Sequence, residues 1–284
     1  MMTGFYQLVS MAVMKVWYRG SMSDAPVLFE RRGPVGVITL NRPDNRNSMT
    51  PELLDEFSAV VAAVCNDHDL RCVVITGKGR CFSAGADFKS VIQRQTSGRA
   101  MQSYERSYAM YEPFLSVLDI PVPVIGALNG HAVGGGFGLS LTCDLRVANQ
   151  EARYGANFAR LGLHPGLAIS YLLPRLVGAP RAAELLFTGR LMLGDEAERI
   201  GLMNHALPGD QVLPRAMELA GEIAANAPIA VRMTKRTLYQ ELDWQPRQAA
   251  LREAFAQAVT IDTADAREGI AALLEKRDPS FKGE

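Results

Sequence analysis

Two glycine-containing segments carry the residues best suited to chemistry. They are Cys81-Phe82-Ser83-Ala84-Gly85-Ala86-Asp87 and Asn129-Gly130-His131-Ala132-Val133-Gly134-Gly135-Gly136. Each follows an apolar, β-branched run, residues 72–76 before the first and 122–128 before the second, and each leads into a helical pattern. A strand, a tight glycine turn and a helix start aim unpaired N–H groups and the positive helix end at one point. Two such points facing each other form an oxyanion hole, which stabilises negative charge on a carbonyl oxygen. The alternative is that these glycines serve only tight turns and close packing.

Other chemistries lack their residues. The chain has no G-x-x-x-x-G-K loop, and Gly134-Gly135-Gly136-Phe137-Gly138 does not fit G-x-G-x-x-G. Gly138-Leu139-Ser140-Leu141-Thr142 is not a G-x-S-x-G elbow. Dinucleotide-dependent and serine-hydrolase chemistries are therefore not expected. The four histidines, His68, His131, His164 and His205, are scattered without an H-E-x-x-H, so no metal site is expected.

The elements that must position the two loops can be read from periodicity. Residues 27–40 make two strands around Gly33-Pro34, and Thr50-Pro51-Glu52 opens a helix as cap, first-turn proline and acid. Leu53, Leu54, Phe57, Val60, Val61 and Val64 keep that helix's apolar face. Strands follow at 72–76, 122–128 and 145–148, with helices at 104–118 and 136–142. A polar stretch at 88–101 is expected to be mobile. This alternation predicts an α/β fold. Beyond residue 205 the periodicity is helical, over 211–225, 230–243 and 247–276.

Composition narrows the function. Thirty basic residues balance thirty acidic ones in 284, which leaves no net field to hold nucleic acid or an anionic membrane. No apolar run is long enough to span a bilayer, so membrane insertion is not expected. Cys65, Cys72, Cys81 and Cys143 are irregularly spaced without C-x-x-C. They suit free thiols in a reducing compartment, and a cytoplasmic location is expected. Residues 1–24 are expected to be an N-terminal extension, with Met22 as a second possible start and an added interface helix as the alternative.

The two loops, taken with what surrounds them, resemble the crotonase (enoyl-CoA hydratase/isomerase) superfamily. Leu40-Asn41-Arg42-Pro43-Asp44 is similar to the family's first-strand exit, and residues 74–87 and 128–136 are similar to its two oxyanion segments. Cys143-Asp144-Leu145-Arg146-Val147-Ala148, Leu161-Gly162-Leu163-His164-Pro165-Gly166 and Glu275-Lys276-Arg277-Asp278-Pro279-Ser280-Phe281 continue the match in order, from about residue 27 to 281. The resemblance implies a ββα spiral core over residues 25–205 carrying an acyl-CoA site, and a C-terminal helical region over 206–284 that mediates trimer assembly. A homotrimer or homohexamer is expected. CoA enters as part of the substrate, with no permanently bound cofactor.

By the same resemblance the oxyanion donors are the N–H groups of Ala86 and Gly135. CoA contacts fall to Arg42, Ala84, Lys89, Phe281 and Lys282. The chain departs from the family at the two acid/base glutamates, where Gly138 and Phe158 stand. Hydration needs one group to activate water and one to deliver a proton, and neither residue can do this. Substitutes are Tyr111 and Glu112, on the helix that lines the acyl pocket in related enzymes, and His164. A solvated carboxylate is the alternative for Glu112 and a turn histidine for His164. The expected function is that of an enoyl-CoA hydratase/isomerase-like enzyme on acyl-CoA thioesters without classical hydration. The alternative is a non-catalytic acyl-CoA binding protein.

Overall fold

The computed structural model describes residues 24–86, 100–241 and 245–282. Residues 1–23, Asp87, Lys89 and most of the polar stretch at 88–101 lie outside them. Strands β1 (Val27–Arg32) and β2 (Val35–Leu40) pair antiparallel around Gly33, whose φ of 61° is the left-handed conformation this tight turn requires. Helix α1 (Pro51–Asn66) begins where the Thr50 hydroxyl accepts the Leu53 N–H at 3.3 Å. Its expected apolar face is buried through Leu53, Leu54, Phe57, Val61 and Val64.

From there the chain spirals. Long strands build one sheet while short strands that follow them build a second. β3 (Cys72–Gly77) leads to β4 (Cys81–Ser83). After α2 (Ala100–Leu115), β5 (Val124–Leu128) leads to β6 (His131–Val133) and α3 (Gly135–Thr142). β7 (Leu145–Asn149) leads to β8 (Arg153–Gly155), then α4 (Ile169–Val177) and α5 (Ala179–Thr188). β9 (Met192–Leu193), α6 (Gly194–Arg199), β10 (His205–Leu207) and α7 (Gly209–Ala224) complete the core. The large sheet has the order β1-β2-β3-β5-β7-β10, and the small one β4-β6-β8-β9. All neighbours run parallel except β1 with β2 and β8 with β9.

β3 shows why the large sheet is covered on both faces. Val73 and Ile75 enter one apolar core, while Cys72 and Val74 enter another, as the two-residue period of a strand requires. The second core is closed by α7 through Val212, Ala216, Ala220 and Ala224. The first holds α1 against α2, where Phe57 and Phe114 meet edge to face at 5.1 Å.

The C-terminal region is helical as expected, in α8 (Pro228–Glu241), α9 (Pro246–Ile261) and α10 (Ala264–Glu275). The single helix expected over 247–276 is two. Thr263 adopts extended backbone and its hydroxyl accepts the Ala266 N–H at 3.0 Å, restarting the chain as α10. The helix expected over 104–118 likewise ends at Leu115 and continues as a 3₁₀ turn, Ser116–Asp119. All four cysteines are free thiols. Among the described residues, no helix is long and apolar enough to cross a membrane.

Candidate active site

The first loop is set by the segment between β2 and α1. The Asn47 side chain donates to the carbonyls of Cys81 (2.9 Å), Phe82 (3.1 Å) and Lys78 (3.1 Å), and accepts the Arg42 N–H at 2.8 Å. Ala84 donates its N–H to the Arg46 carbonyl at 3.0 Å, and Met49 donates to the Gly85 carbonyl at 2.9 Å. Ser83 donates its hydroxyl to the Asn47 carbonyl at 2.8 Å. One asparagine and one serine thus fix the turn that presents Ala86.

The second loop meets the first directly. Gly85 has a φ of 77°, and a Cβ there would lie 2.7 Å from the Gly135 nitrogen and 2.7 Å from the Val133 carbonyl oxygen. A Cβ on Gly136 would lie 2.1 Å from the Ser83 carbonyl oxygen. These positions admit only glycine because the two loops interlock backbone to backbone. Gly134 leaves β6 with a φ of 56°, donates to the Gly155 carbonyl at 3.0 Å, and starts α3 at Gly135. Among the described residues, neither the Ala86 N–H nor the Gly135 N–H donates to a loop or cap carbonyl. Gly135 stands in the first turn of α3, where the helix supplies no partner.

Ala84, Ala86, Gly134 and Gly135 all line one cavity of about 1150 Å³. Its wall near the loops is apolar, with Met49, Phe158 and Leu167. Elsewhere it is cationic: among the described residues Arg46, Arg80, Arg153 and Lys276 line it, with Asp44 as the one carboxylate. His131 also lines it and accepts the Arg153 N–H on Nδ1 at 2.9 Å. Burial, then the nearby Arg153 and Arg46, holds its pKa below the ordinary histidine value.

The expected site residues separate. Gly138 sits buried in α3, where a Cβ would lie 2.7 Å from Leu167 Cβ, so Leu167 fills the space beside it. Phe158 lines the cavity, nearly buried. Tyr111 lines it too; its hydroxyl donates to Gln257, and burial raises its pKa far above the ordinary phenol value. Glu112 is absent from the lining and is hydrogen-bonded by the Tyr108 hydroxyl, whose own pKa burial pushes up to about 12. His164 is also outside the lining: its Nδ1 pairs with the Pro165 carbonyl at 2.7 Å and its N–H donates to Thr260 at 3.0 Å. Of the three substitutes, only Tyr111 reaches the cavity.

The expected CoA contacts are also divided. Ala84 lines the cavity. The Arg42 guanidinium donates to the Asp24 carbonyl at 2.8 Å and the Asn41 carbonyl at 3.1 Å, away from the lining. Phe281 is 43% exposed, and the Lys282 N–H donates to Asp265 at 2.7 Å; neither lines the cavity within one chain. The four lining cations were not among the expected contacts, because nothing in their local sequence separates them from ordinary surface charges.

The sequence also gave no sign of the structure that holds Leu167. Leu167 and Ala168 are consecutive non-glycine residues at φ 62° and 56°, a conformation that costs roughly 1–2 kcal/mol per residue. Helix α9 holds this turn along one face. Glu253 accepts the Ser170 N–H at 2.8 Å and the Ser170 hydroxyl, Gln257 donates to the His164 carbonyl at 3.2 Å, and Thr260 accepts the His164 N–H. The Ala168 and Ile169 N–H groups also face the Glu253 carboxylate, although Oε2 makes no complete hydrogen bond. Burial, only partly offset by these donors, pushes Glu253 up to about 7.

An interlocked pair of glycine loops on a ββα spiral thus borders a cavity with both apolar and cationic lining. The enoyl-CoA hydratase/isomerase family model matches residues 30–284. The chain is 33% identical over 252 residues to a short-chain-enoyl-CoA hydratase of Clostridium acetobutylicum, covering 88% of this chain and 95% of that one. It is 34% identical over 256 residues to a crotonyl-CoA hydratase of Syntrophomonas wolfei, covering 90% and 97%. A crystal structure of an enoyl-CoA hydratase/isomerase from Pseudoalteromonas atlantica superposes with a TM-score of 0.80 at 28% identity, covering 90% of this chain and 100% of that one. The chain belongs to the enoyl-CoA hydratase/isomerase family of the crotonase superfamily.

Proposed function

We propose that this protein binds acyl-CoA thioesters and polarises their carbonyl with the N–H groups of Ala86 and Gly135. The observation that carries this is the contact between the two glycine loops at the wall of the cavity. A thioester oxygen seated there takes up negative charge when a proton leaves the α-carbon. Each fixed donor is then worth about 3 kcal/mol in barrier. The partial positive charge at the start of α3 adds to the effect at Gly135. Arg46, Arg80, Arg153 and Lys276 supply the charge that CoA phosphates require. CoA arrives with the substrate and no other cofactor is involved.

Gly138 and Phe158 supply neither the base nor the acid of hydration, and Phe158 makes the pocket apolar where water would sit. The function is therefore binding and carbonyl polarisation of an acyl-CoA thioester, with hydration of crotonyl-CoA slow or absent. Non-catalytic acyl-CoA binding is favoured by one observation: Tyr111, the titratable group on the apolar side, is a buried neutral phenol. Assembly as a trimer follows the exposed apolar side chains of the C-terminal helices, among them Ile229, Met233, Phe255 and Val259. Phe281 and Lys282 then meet CoA on a neighbouring subunit.

The test is a pair of measurements on purified protein. Saturating butanoyl-CoA is expected to raise the melting temperature, while crotonyl-CoA loses its enoyl-thioester absorbance at near-background rate. No thermal shift with any acyl-CoA overturns the binding role. Turnover at the rate of an ordinary hydratase overturns the assignment of Gly138 and Phe158.

A further inference from the structure

We propose that Leu167, held by the Glu253–Gln257–Thr260 face of α9, determines which acyl groups the site accepts by limiting bulk on the α-carbon. The inference rests on the acyl-CoA reading of the cavity and adds a substrate class to it: thioesters whose α-carbon is unbranched.

Leu167 lines the cavity and abuts both glycines of α3 that matter. A Cβ on Gly135 would lie 3.4 Å from Leu167 Cδ1, and one on Gly138 would lie 2.7 Å from Leu167 Cβ. A carbonyl oxygen held by the Gly135 N–H sets the α-carbon two bonds away. Leu167 then stands beside that carbon, with Met49 on another side of Gly135: a Cβ there would meet Met49 Sδ at 2.3 Å. A methyl branch on that carbon would meet Leu167 or Met49, the side chains nearest Gly135.

Leu167 is not free to move. Its backbone is left-handed, as is that of Ala168, and such a turn persists only where its surroundings over-determine it. The three α9 side chains provide this, one helical turn apart along one face: Glu253 on Ser170, Gln257 and Thr260 on His164. They bracket Leu167 from both sides in sequence. Gln257 is fixed in turn by the Tyr111 hydroxyl from α2. Glu253 and Gln257 are themselves buried, at 2% and 6% exposure, so the support is rigid. Leu167 is accordingly a specificity-determining residue and Glu253 a positioning residue.

The experiment compares two CoA esters of equal carbon number, butanoyl-CoA and 2-methylpropanoyl-CoA, by titration calorimetry. The wild-type protein is expected to bind the linear ester about tenfold or more tightly, the scale of one methyl group in an apolar pocket. In Leu167→Gly, which suits the left-handed backbone and so folds, the ratio is expected to fall to within about threefold. Leu167→Ala should fall between, and Glu253→Ala should lower the ratio without touching ligand. A merely structural role for Glu253 would weaken both esters equally and leave the ratio alone. Ratios that stay at the wild-type value in both Leu167 variants overturn the inference while leaving acyl-CoA binding in place. Failure of the wild type to bind either ester overturns the acyl-CoA reading, and this inference with it.

Discussion

Gly138→Ala tests the wall beside α3 with a single atom. Replacing glycine by alanine inside a helix stabilises by roughly 0.5–1 kcal/mol on backbone grounds alone. Here the added Cβ would lie 2.7 Å from Leu167 Cβ, 3.2 Å from Leu167 Cδ1 and 3.4 Å from Ile169 Cδ1. The closest of these is the stem of a side chain on a strained turn, not a flexible tip. An extra methyl forced into such packing costs about 1–3 kcal/mol. Overpacking therefore wins, and the variant is expected to lose roughly 0.5–2 kcal/mol. Leu167→Gly removes both of the closest atoms at a backbone that favours glycine, φ 62°. In that background Gly138→Ala should stabilise, so the effect changes sign, with a coupling of about 1–3 kcal/mol. Urea midpoints of the four proteins, at one protein concentration and with unchanged m, measure the cycle. Equal effects of Gly138→Ala in the two backgrounds would refute the packing described for Leu167.

Gly85→Ala should cost both stability and acyl-CoA affinity, because its φ of 77° and a Cβ 2.7 Å from the Gly135 nitrogen push the two loops apart. Undiminished affinity by calorimetry would remove the loop contact from the site. Asn47→Ala should destabilise by about 2–4 kcal/mol, since it strips hydrogen bonds from the Cys81 and Phe82 carbonyls and the Arg42 N–H; a urea midpoint within error of wild type contradicts this. Glu253 predicts a pH dependence. Its folded pKa of about 7 lies above the usual 4.5, so the folded state keeps a proton that the unfolded chain releases. Its contribution is full below pH 4.5 and is lost as pH rises to about 7. The stability of wild type relative to Glu253→Gln should fall by about 2–3 kcal/mol over that window. A flat difference means the carboxyl is not held protonated.

The parts of the site that were legible in sequence are those whose residue type reports backbone geometry. Glycines at 85, 134, 135 and 136 mark turns and close approaches, and Thr50-Pro51 marks a helix start, because few other residues do these jobs. The α/β alternation was legible for the same reason: the buried strands are short β-branched runs. What stayed hidden depends on three-dimensional convergence. Arg46, Arg80, Arg153 and Lys276 come from four separate parts of the chain and meet only in the cavity lining. Glu253 sits in a helical run where a carboxylate reads as solvated. Leu167 carries no sequence mark of a left-handed backbone, since leucine is a poor choice for one. Residues 262–263 passed as mid-helix because the apolar period continues across them. The displacement of Glu112 and His164 from the cavity has a similar cause: helix phase and turn geometry decide which neighbour of Tyr111 or Pro165 faces inward.

The central claim is that a thioester carbonyl sits between the Ala86 and Gly135 N–H groups. The infrared difference spectrum of butanoyl-CoA labelled with ¹³C at the thioester carbonyl measures this directly in the bound complex. Two aligned donors are predicted to move the carbonyl stretch to lower wavenumber than in water, with the shift reduced in Gly85→Ala. A bound ester whose carbonyl frequency equals or exceeds its value in water would contradict the account.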